Sequence, residues 1–231
     1  MRQIILDTET TGLEPSQGHR IIEIGCVEVI ERATTGNNYH QYINPEREVD
    51  QGAIEVHGIS NEFLQDKPRF IDIVDDFIAY IEGAELIIHN APFDVGFIDN
   101  ELKLAEKELG KTYKRVADYC KVTDSLVMAR QLRPGKKNNL DALCDFYGVD
   151  NSSRDLHGAL LDAEILWDVY RLMTGGQGDL SFNRSKSESQ TSSDNRIRRL
   201  SDSRNPLPII RADEQELNDH KAWCEKLELE W

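Results

Sequence analysis

The stretch ILDTETTGLEP, residues 5–15, places Asp7 and Glu9 two positions apart at the end of an apolar run. Side chains alternate between the two faces of a strand, so both carboxylates would share one face. Adjacent carboxylates repel each other, and burying them without a partner is costly. A divalent cation would neutralise both, and oxygen ligands without cysteine favour Mg²⁺ or Mn²⁺. The alternative is a pair of acids that are simply solvated at a strand end.

Two further segments place polar groups where predicted helices begin. In HNAPFD, Asp94 falls in the first turn of a helix that follows a short strand, and strand ends are where α/β sheets place sites. In RDLHGALLDA, His157 precedes a helix that carries Asp162 five residues further on. Each has a plainer alternative, since Asp94 could complement the helix dipole and His157 could be a surface or capping residue.

These four acids and one histidine fit one type of chemistry when they are considered together. Carboxylates can hold two cations about 3.5–4 Å apart, which clamp the attacking and leaving oxygens of a phosphodiester. A neutral histidine nearby can take the proton from the attacking water. The sequence alone does not establish that the three segments meet in space.

The surrounding pattern predicts an α/β domain with a mixed sheet. Three antiparallel strands come first, over 2–8, 20–30 and 39–43, with a hairpin turn at 35–38. Helices then alternate with short strands. The predicted helices are a short one capped by Ser60, then 70–81, 90–110 with Asn90 as its cap, 124–131, 140–147 and 157–173. Short strands are predicted at 85–89 and 121–124.

Composition narrows the class of protein. The 231 residues include no apolar run of membrane-spanning length, and MRQIILD lacks a secretory pattern. The four cysteines are scattered, so we expect reduced thiols in a cytoplasmic protein. A formal net charge of −15 argues against binding nucleic acid by electrostatics alone. Bound cations would supply the missing positive charge.

The three motifs ILDTETTGL, HNAPFD and HGALLDA, in this order and spacing, resemble those of the DEDD exonuclease superfamily, in its histidine-containing branch. The resemblance implies a ribonuclease-H-like fold and 3′→5′ exonuclease activity with two divalent cations. It also implies that the cations are bound by the four acids, with His157 as general base. The metal ligands would be Asp7, Glu9, Asp94 and Asp162. His89 lacks the motif spacing, so we expect a structural role for it.

Residues 1 to about 174, including VHGI at 56–59, are similar to the proofreading exonucleases of bacterial replicative DNA polymerases. This likeness implies a pocket for the 3′-terminal nucleotide of DNA, formed by Thr10, Gly12, Leu13, Val56, His57, Asn90 and Phe93. Plainer roles stay open, because Gly12 could only turn the chain, Phe93 could belong to the core, and His57 could be a surface histidine.

The predicted nuclease domain covers residues 1–175. The residues that follow it resemble partner-binding segments. QGDLSF within 176–182 is similar to a sliding-clamp-binding peptide, with Gln177, Leu180 and Phe182 as its anchors. Residues 183–206 are rich in Ser, Asn and charge, which predicts a flexible linker that tethers the nuclease near the primer end.

The last segment, residues 207–231, resembles the part of such nucleases that binds the polymerase catalytic (alpha) subunit. Leu217 and Trp223, on a marginal amphipathic helix over 213–229, would fill a groove on that partner. The helix could instead pack on its own domain. Two rival functions also stay open: a stand-alone exonuclease acting on RNA or short oligonucleotides, and a non-catalytic scaffold.

Overall fold

The computed structural model describes residues 1–152, 156–175 and 212–226. Its strands are β1 Arg2–Thr10, β2 Ile21–Ile30, β3 Ala33–Thr34, β4 Tyr39–Tyr42, β5 Glu85–Ile88 and β6 Lys121–Asp124. They form a mixed sheet in the order β3-β2-β1-β5-β6, with β4 also pairing with β2. The neighbours of β2 are antiparallel to it, whereas β1, β5 and β6 are parallel to one another.

Helices cover both faces of this sheet, and successive residues of β1 face opposite helices. Ile4 and Leu6 belong to a core that also contains Phe77 and Phe97, whereas Ile5 packs in a second core with Leu166. The predicted mixed α/β architecture is therefore confirmed. The helices are α1 Gln51–His57, α2 Asn61–Leu64, α3 Phe70–Ile81, α4 Ala91–Leu109, α5 Val116–Tyr119, α6 Ser125–Leu132, α7 Leu140–Tyr147, α8 Ala159–Gly175 and α9 Glu214–Lys226.

Two local predictions are wrong. The tight turn after β2 lies at Glu31 and Arg32, not at 35–38, and both residues have positive φ angles of 50° and 66°. Such turns usually carry Asn or Gly, and Glu31 and Arg32 therefore do not indicate a turn at the level of sequence. Asn90 occupies the residue before α4 but forms no side-chain cap, because its own backbone is left-handed with φ 72°. By contrast, Ser60 caps α2 as predicted, accepting a hydrogen bond from the Phe63 N–H.

A buried ion pair fixes α4 against the sheet. The Glu101 carboxylate accepts hydrogen bonds from Nε and Nη2 of Arg20, each 2.7 Å long, and a third from the Ile21 N–H at 3.2 Å. The Glu101 side chain is only 1% exposed, and its hydrogen bonds raise the pKa of Arg20 above its ordinary value. This bidentate contact holds the helix that carries Asp94 at a defined position beside β2.

The predicted linker and the clamp-like peptide, with Gln177, Leu180 and Phe182, lie outside the described residues. The predicted C-terminal helix is confirmed as α9, which ends at Lys226. Leu217 and Trp223 on α9 are 48% and 62% exposed. Among the helices that the structure describes, none is both long and apolar enough to cross a lipid bilayer.

Candidate active site

The five residues predicted to do chemistry meet at one edge of the sheet. Strands β1 and β5 are parallel, so the end of β1 and the segment that leads from β5 into α4 reach the same edge. The first turn of α8, which belongs to the third motif, brings Asp162 to the same site. A cavity of about 260 Å³ there is lined, among others, by Asp7, Glu9, Asp94, His157 and Asp162.

Three of these side chains form a group with the dimensions of a metal site. Ligand atoms of Glu9, His157 and Asp162 all lie within 4.8 Å of one another. Nδ1 of His157 is 3.5 Å from Oδ2 of Asp162, whose side chain is 4% exposed. Asp7 lines the same cavity. Carboxylate oxygens at this density suit a hard divalent cation, because the ion removes the repulsion between them.

The surrounding protein disfavours the charged form of Asp94. Asp94 is 3% exposed, and its Oδ1 accepts a 2.7 Å hydrogen bond from the Thr8 hydroxyl. Burial raises the pKa of the Asp94 carboxyl to about 7, although hydrogen bonds from Thr8 and the backbone act in the opposite direction. A carboxylate at this position therefore needs a positive partner, and a bound cation would provide one. The supporting role of Thr8 has no signal in the sequence.

Backbone contacts between distant segments position His157. Its N–H donates a 3.1 Å hydrogen bond to the Val56 carbonyl, at the end of α1. The neighbouring Leu156 side chain lies directly over Gly58, where a Cβ would approach it to 2.5 Å. The histidine is therefore held next to α1, outside the helix that was predicted to begin with it.

The first turn of α8 rests on the backbone of β2. A Cβ added to Gly25 would lie 2.2 Å from backbone atoms of Ala159 and Leu160. Only glycine permits this approach, and Asp162 lies on the turn that it positions. Sequence reasoning missed this contact, although a glycine inside a strand pattern is a known signal of close backbone approach.

An adjoining cavity of about 690 Å³ contains six of the seven residues predicted to bind a nucleotide. They are Thr10, Gly12, Leu13, Val56, His57 and Phe93. The two cavities share Thr8, Glu9 and Phe93, and the volume is typical of a small-molecule site. Asn90 is exposed and is not among the residues that line either cavity.

His57 points a hydrogen-bond donor into this region. Its Nδ1 accepts a 3.0 Å hydrogen bond from the Ile59 N–H, so the proton of the neutral ring is on Nε2. Burial, and then the charge of His157, lower the pKa of His57. Its Nε2 is buried and has no hydrogen-bond partner among the described residues. His57 is 5% exposed, which excludes a plain surface histidine.

The rest of the cavity wall comes from His89, for which the sequence predicted a structural role, and from three residues that sequence reasoning did not select. His89 lines it, with Nδ1 3.0 Å from the Ser125 hydroxyl, and burial lowers the pKa of His89. Asn139, Leu140 and Asp141 complete the wall where α7 begins. Nothing in their sequence spacing relates them to the three motifs.

Comparisons with known proteins relate the chain to exonucleases. A family model described as "Exonuclease" matches residues 4–170. DNA polymerase III subunit epsilon of Salmonella typhimurium is 52% identical over 225 residues, covering 96% of this chain and 91% of that protein. The subunit epsilon of Haemophilus influenzae is 60% identical over 183 residues, covering 78% and 70%.

Among solved structures, exonuclease X in complex with 5′ overhanging duplex DNA superimposes with a TM-score of 0.58 at 24% identity. The match covers 76% of this chain and 93% of that one. At this identity the likeness concerns the fold, and it confirms the ribonuclease-H-like architecture expected from the motifs.

We predict that Gly25→Ala weakens binding of Mn²⁺ by about tenfold or more, the usual cost of misplacing ligands through their supporting groups. The new methyl group must push the first turn of α8 away and carry Asp162 with it. Calorimetric titration measures the affinity. Gly96→Ala is the matched control, because a Cβ at Gly96 meets nothing within 4 Å. Equal affinities for wild type and Gly25→Ala would contradict this account of the site.

Proposed function

The chain belongs to the exonuclease family that includes the DNA polymerase III epsilon subunits, and we propose that it removes misincorporated 3′-terminal nucleotides from DNA as the proofreading subunit of a bacterial replicative polymerase. The observation that carries this proposal is the joining of two cavities. One gathers the four predicted metal ligands and His157, and the other is an adjoining pocket of nucleotide-binding size that shares Glu9 with it.

The four acids are the proposed ligands of two divalent cations, Mg²⁺ or Mn²⁺. The close approach of Glu9 and Asp162 and the unfavourable burial of Asp94 both support such a role for these side chains. Cations bound there would neutralise the acids and stabilise charge on the attacking and leaving oxygens of the phosphodiester.

His157 is the proposed general base. Its side chain is 43% exposed, so it can pass a proton to solvent after taking it from the attacking water. The hydrogen bond from its N–H to the Val56 carbonyl fixes the backbone, and Asp162 at 3.5 Å orients the ring.

The adjoining pocket is proposed to hold the terminal nucleotide. Leu13 and Val56, 77% and 46% exposed at the pocket, offer apolar surface to the base, and Phe93 borders both cavities. The buried Nε2–H of His57 would donate to a sugar or phosphate oxygen. Thr10 donates a 2.7 Å hydrogen bond to the Gly12 carbonyl, so its part is to fix the turn that presents Leu13. A contact from Asn90 stays a prediction.

The segments after the nuclease domain are proposed to bind the replication machinery in the bacterial cytoplasm. The match to subunit epsilon of Salmonella typhimurium covers 96% of this chain and so extends beyond the catalytic domain. Exposed Leu217 and Trp223 on α9 supply apolar anchors for the polymerase catalytic subunit. Gln177, Leu180 and Phe182 are proposed to bind the sliding clamp.

Release of mononucleotides from three substrates tests the activity: a 3′-mispaired primer–template, a matched one, and an RNA of equal length. We expect digestion with Mg²⁺ and none with EDTA, and faster digestion of the mispaired end because fraying it costs less. Asp7→Asn should abolish cleavage, and His157→Ala should lower kcat by about 10²–10⁴-fold. His220→Ala, on exposed α9, is the matched control.

The same substrates separate the rival functions. A preference for RNA would favour the stand-alone exonuclease. Folded protein that digests none of the substrates would favour the scaffold and contradict the proposed activity.

Two variants of the full chain test the partner segments against each other. Trp223→Ala should weaken binding to the polymerase catalytic subunit by about 30-fold, as loss of an interface hot spot does. A second variant, Leu180→Ala with Phe182→Ala, should lose clamp binding instead. Both should keep the nuclease activity of wild type, and surface plasmon resonance measures each interaction. The segment assignments fail if the two variants lose the same partner or neither.

A further inference from the structure

A strongly basic segment lies beside the catalytic cavity of this acidic protein. Residues 125–140 contain four basic side chains and no Asp or Glu, in a chain of net charge −15. All four fall within residues 130–137, which we call the basic turn, and they are Arg130, Arg133, Lys136 and Lys137. The chain continues from the basic turn directly into Asn139, Leu140 and Asp141, which line the cavity.

The backbone of the basic turn has a defined conformation. The Lys136 N–H donates a 3.3 Å hydrogen bond to the Arg133 carbonyl. Between them lie Pro134 and Gly135, and Gly135 has a φ of +72°. Proline followed by a residue of positive φ is the signature of a type II turn, which glycine adopts without strain.

Two side chains lock this turn onto the domain. Asn138 is 7% exposed, and its amide donates hydrogen bonds to the carbonyls of Arg133 and Lys136, at 3.2 and 2.9 Å. The Arg133 guanidinium lies 4.0 Å from the centre of the Phe146 ring and donates to the Lys137 and Ala142 carbonyls. The turn is therefore pre-organised, and Arg133 serves its structure.

The other three charges are available to a ligand. Arg130, Lys136 and Lys137 are exposed, and within the described parts of the chain none of them forms a salt bridge. Elsewhere in the domain, basic side chains such as Lys111 and Lys121 contact carboxylates. Three unneutralised cations on an ordered turn are therefore a local exception to the charge of the molecule.

His89 connects this surface to the cavity. Its ring lines the cavity, and its Nδ1 contacts the hydroxyl of Ser125, the first residue of α6, which leads to the basic turn. The backbone of Asn138 and the charge of Arg130 are both close enough to act on the His89 ring. His89 is thus close both to the cavity of carboxylates and to residues of the segment that forms the basic turn.

We propose that the basic turn binds backbone phosphates of the DNA strand upstream of the 3′-terminal nucleotide, an inference that rests on the proposed exonuclease function. The terminal phosphodiester must enter the cavity of carboxylates, so the phosphates that precede it cross the cavity rim. Arg130, Lys136 and Lys137 offer them the charge complementarity that drives such binding. Phosphate contacts carry no sequence information, which suits an enzyme that must accept any terminal base.

The test uses the full chain with Lys136→Gln and Lys137→Gln together, which removes two charges and keeps similar side-chain lengths. The matched control is Lys103→Gln with Lys107→Gln on the exposed side of α4, about 14–20 Å along the helix from Asp94. We measure kcat/KM on a single-stranded oligonucleotide over a series of NaCl concentrations. Circular dichroism confirms that each variant is folded.

Each lost phosphate contact should reduce the slope of log kcat/KM against log salt by about 0.7. The Lys136/Lys137 variant should therefore have a slope shallower by about 1.4 and a kcat/KM about five- to tenfold lower at low salt. The control should match wild type. A wild-type slope and rate for the Lys136/Lys137 variant would overturn the proposal.

A second substrate separates failure of this proposal from failure of the proposed function. The p-nitrophenyl ester of thymidine 5′-monophosphate has no upstream phosphate, so its hydrolysis reports the catalytic cavity alone. If wild type hydrolyses neither substrate, the exonuclease function fails. If kcat/KM of the Lys136/Lys137 variant falls by the same factor on the ester and on DNA, its defect lies in the cavity. That result would overturn the phosphate-binding role.

Discussion

The repulsion between carboxylates held at one edge of the sheet is the constraint on which the rest of this structure depends. Two buried acids on α4 illustrate it. Glu101 is neutralised by the protein itself, through two 2.7 Å hydrogen bonds from Arg20. Asp94 is similarly buried, but within the described residues its hydrogen bonds come from the Thr8 hydroxyl and from backbone groups. The fold thus stabilises the charge of Glu101 and leaves the charge of Asp94 dependent on a ligand. Functional sites commonly contain such locally unfavourable groups.

The elements around the site act to keep these charges together. Strand β1 carries Asp7 and Glu9, and the Arg20–Glu101 pair fixes the helix that carries Asp94. The contact between Gly25 and Ala159 positions α8 against β2. The substrate is a polyanion, so an acidic protein must supply positive charge locally. Divalent cations in the cavity and the basic turn at its rim would do so at two successive positions along one DNA strand.

The parts of this arrangement that depend on local periodicity could be predicted from the sequence. Asp7 and Glu9 share a face because strand side chains alternate, and α3 follows from its apolar spacing. The parts that could not be predicted depend on distant contacts. The turn at Glu31 and Arg32 has unfavourable residues for its backbone, and it forms because β2 and β3 pair around it. The seat of α8 on Gly25 and the tautomer of His57 likewise require the folded chain.

Stability of the metal-free protein against pH tests the central claim most directly. The folded pKa of Asp94, about 7, lies above the ordinary aspartate value of about 3.9 in the unfolded chain. The folded state therefore keeps a proton on Asp94 that the unfolded state releases, and the contribution of Asp94 to stability should fall as pH rises from about 4 to about 7. Urea unfolding in EDTA measures this loss for wild type and for Asp94→Asn.

The account predicts that Asp94→Asn removes this decline in EDTA, and that Mg²⁺ at pH 7.5 stabilises wild type but not the variant. Parallel pH profiles for the two proteins, with equal stabilisation by Mg²⁺, would contradict the claim that the buried carboxylate is held for a cation.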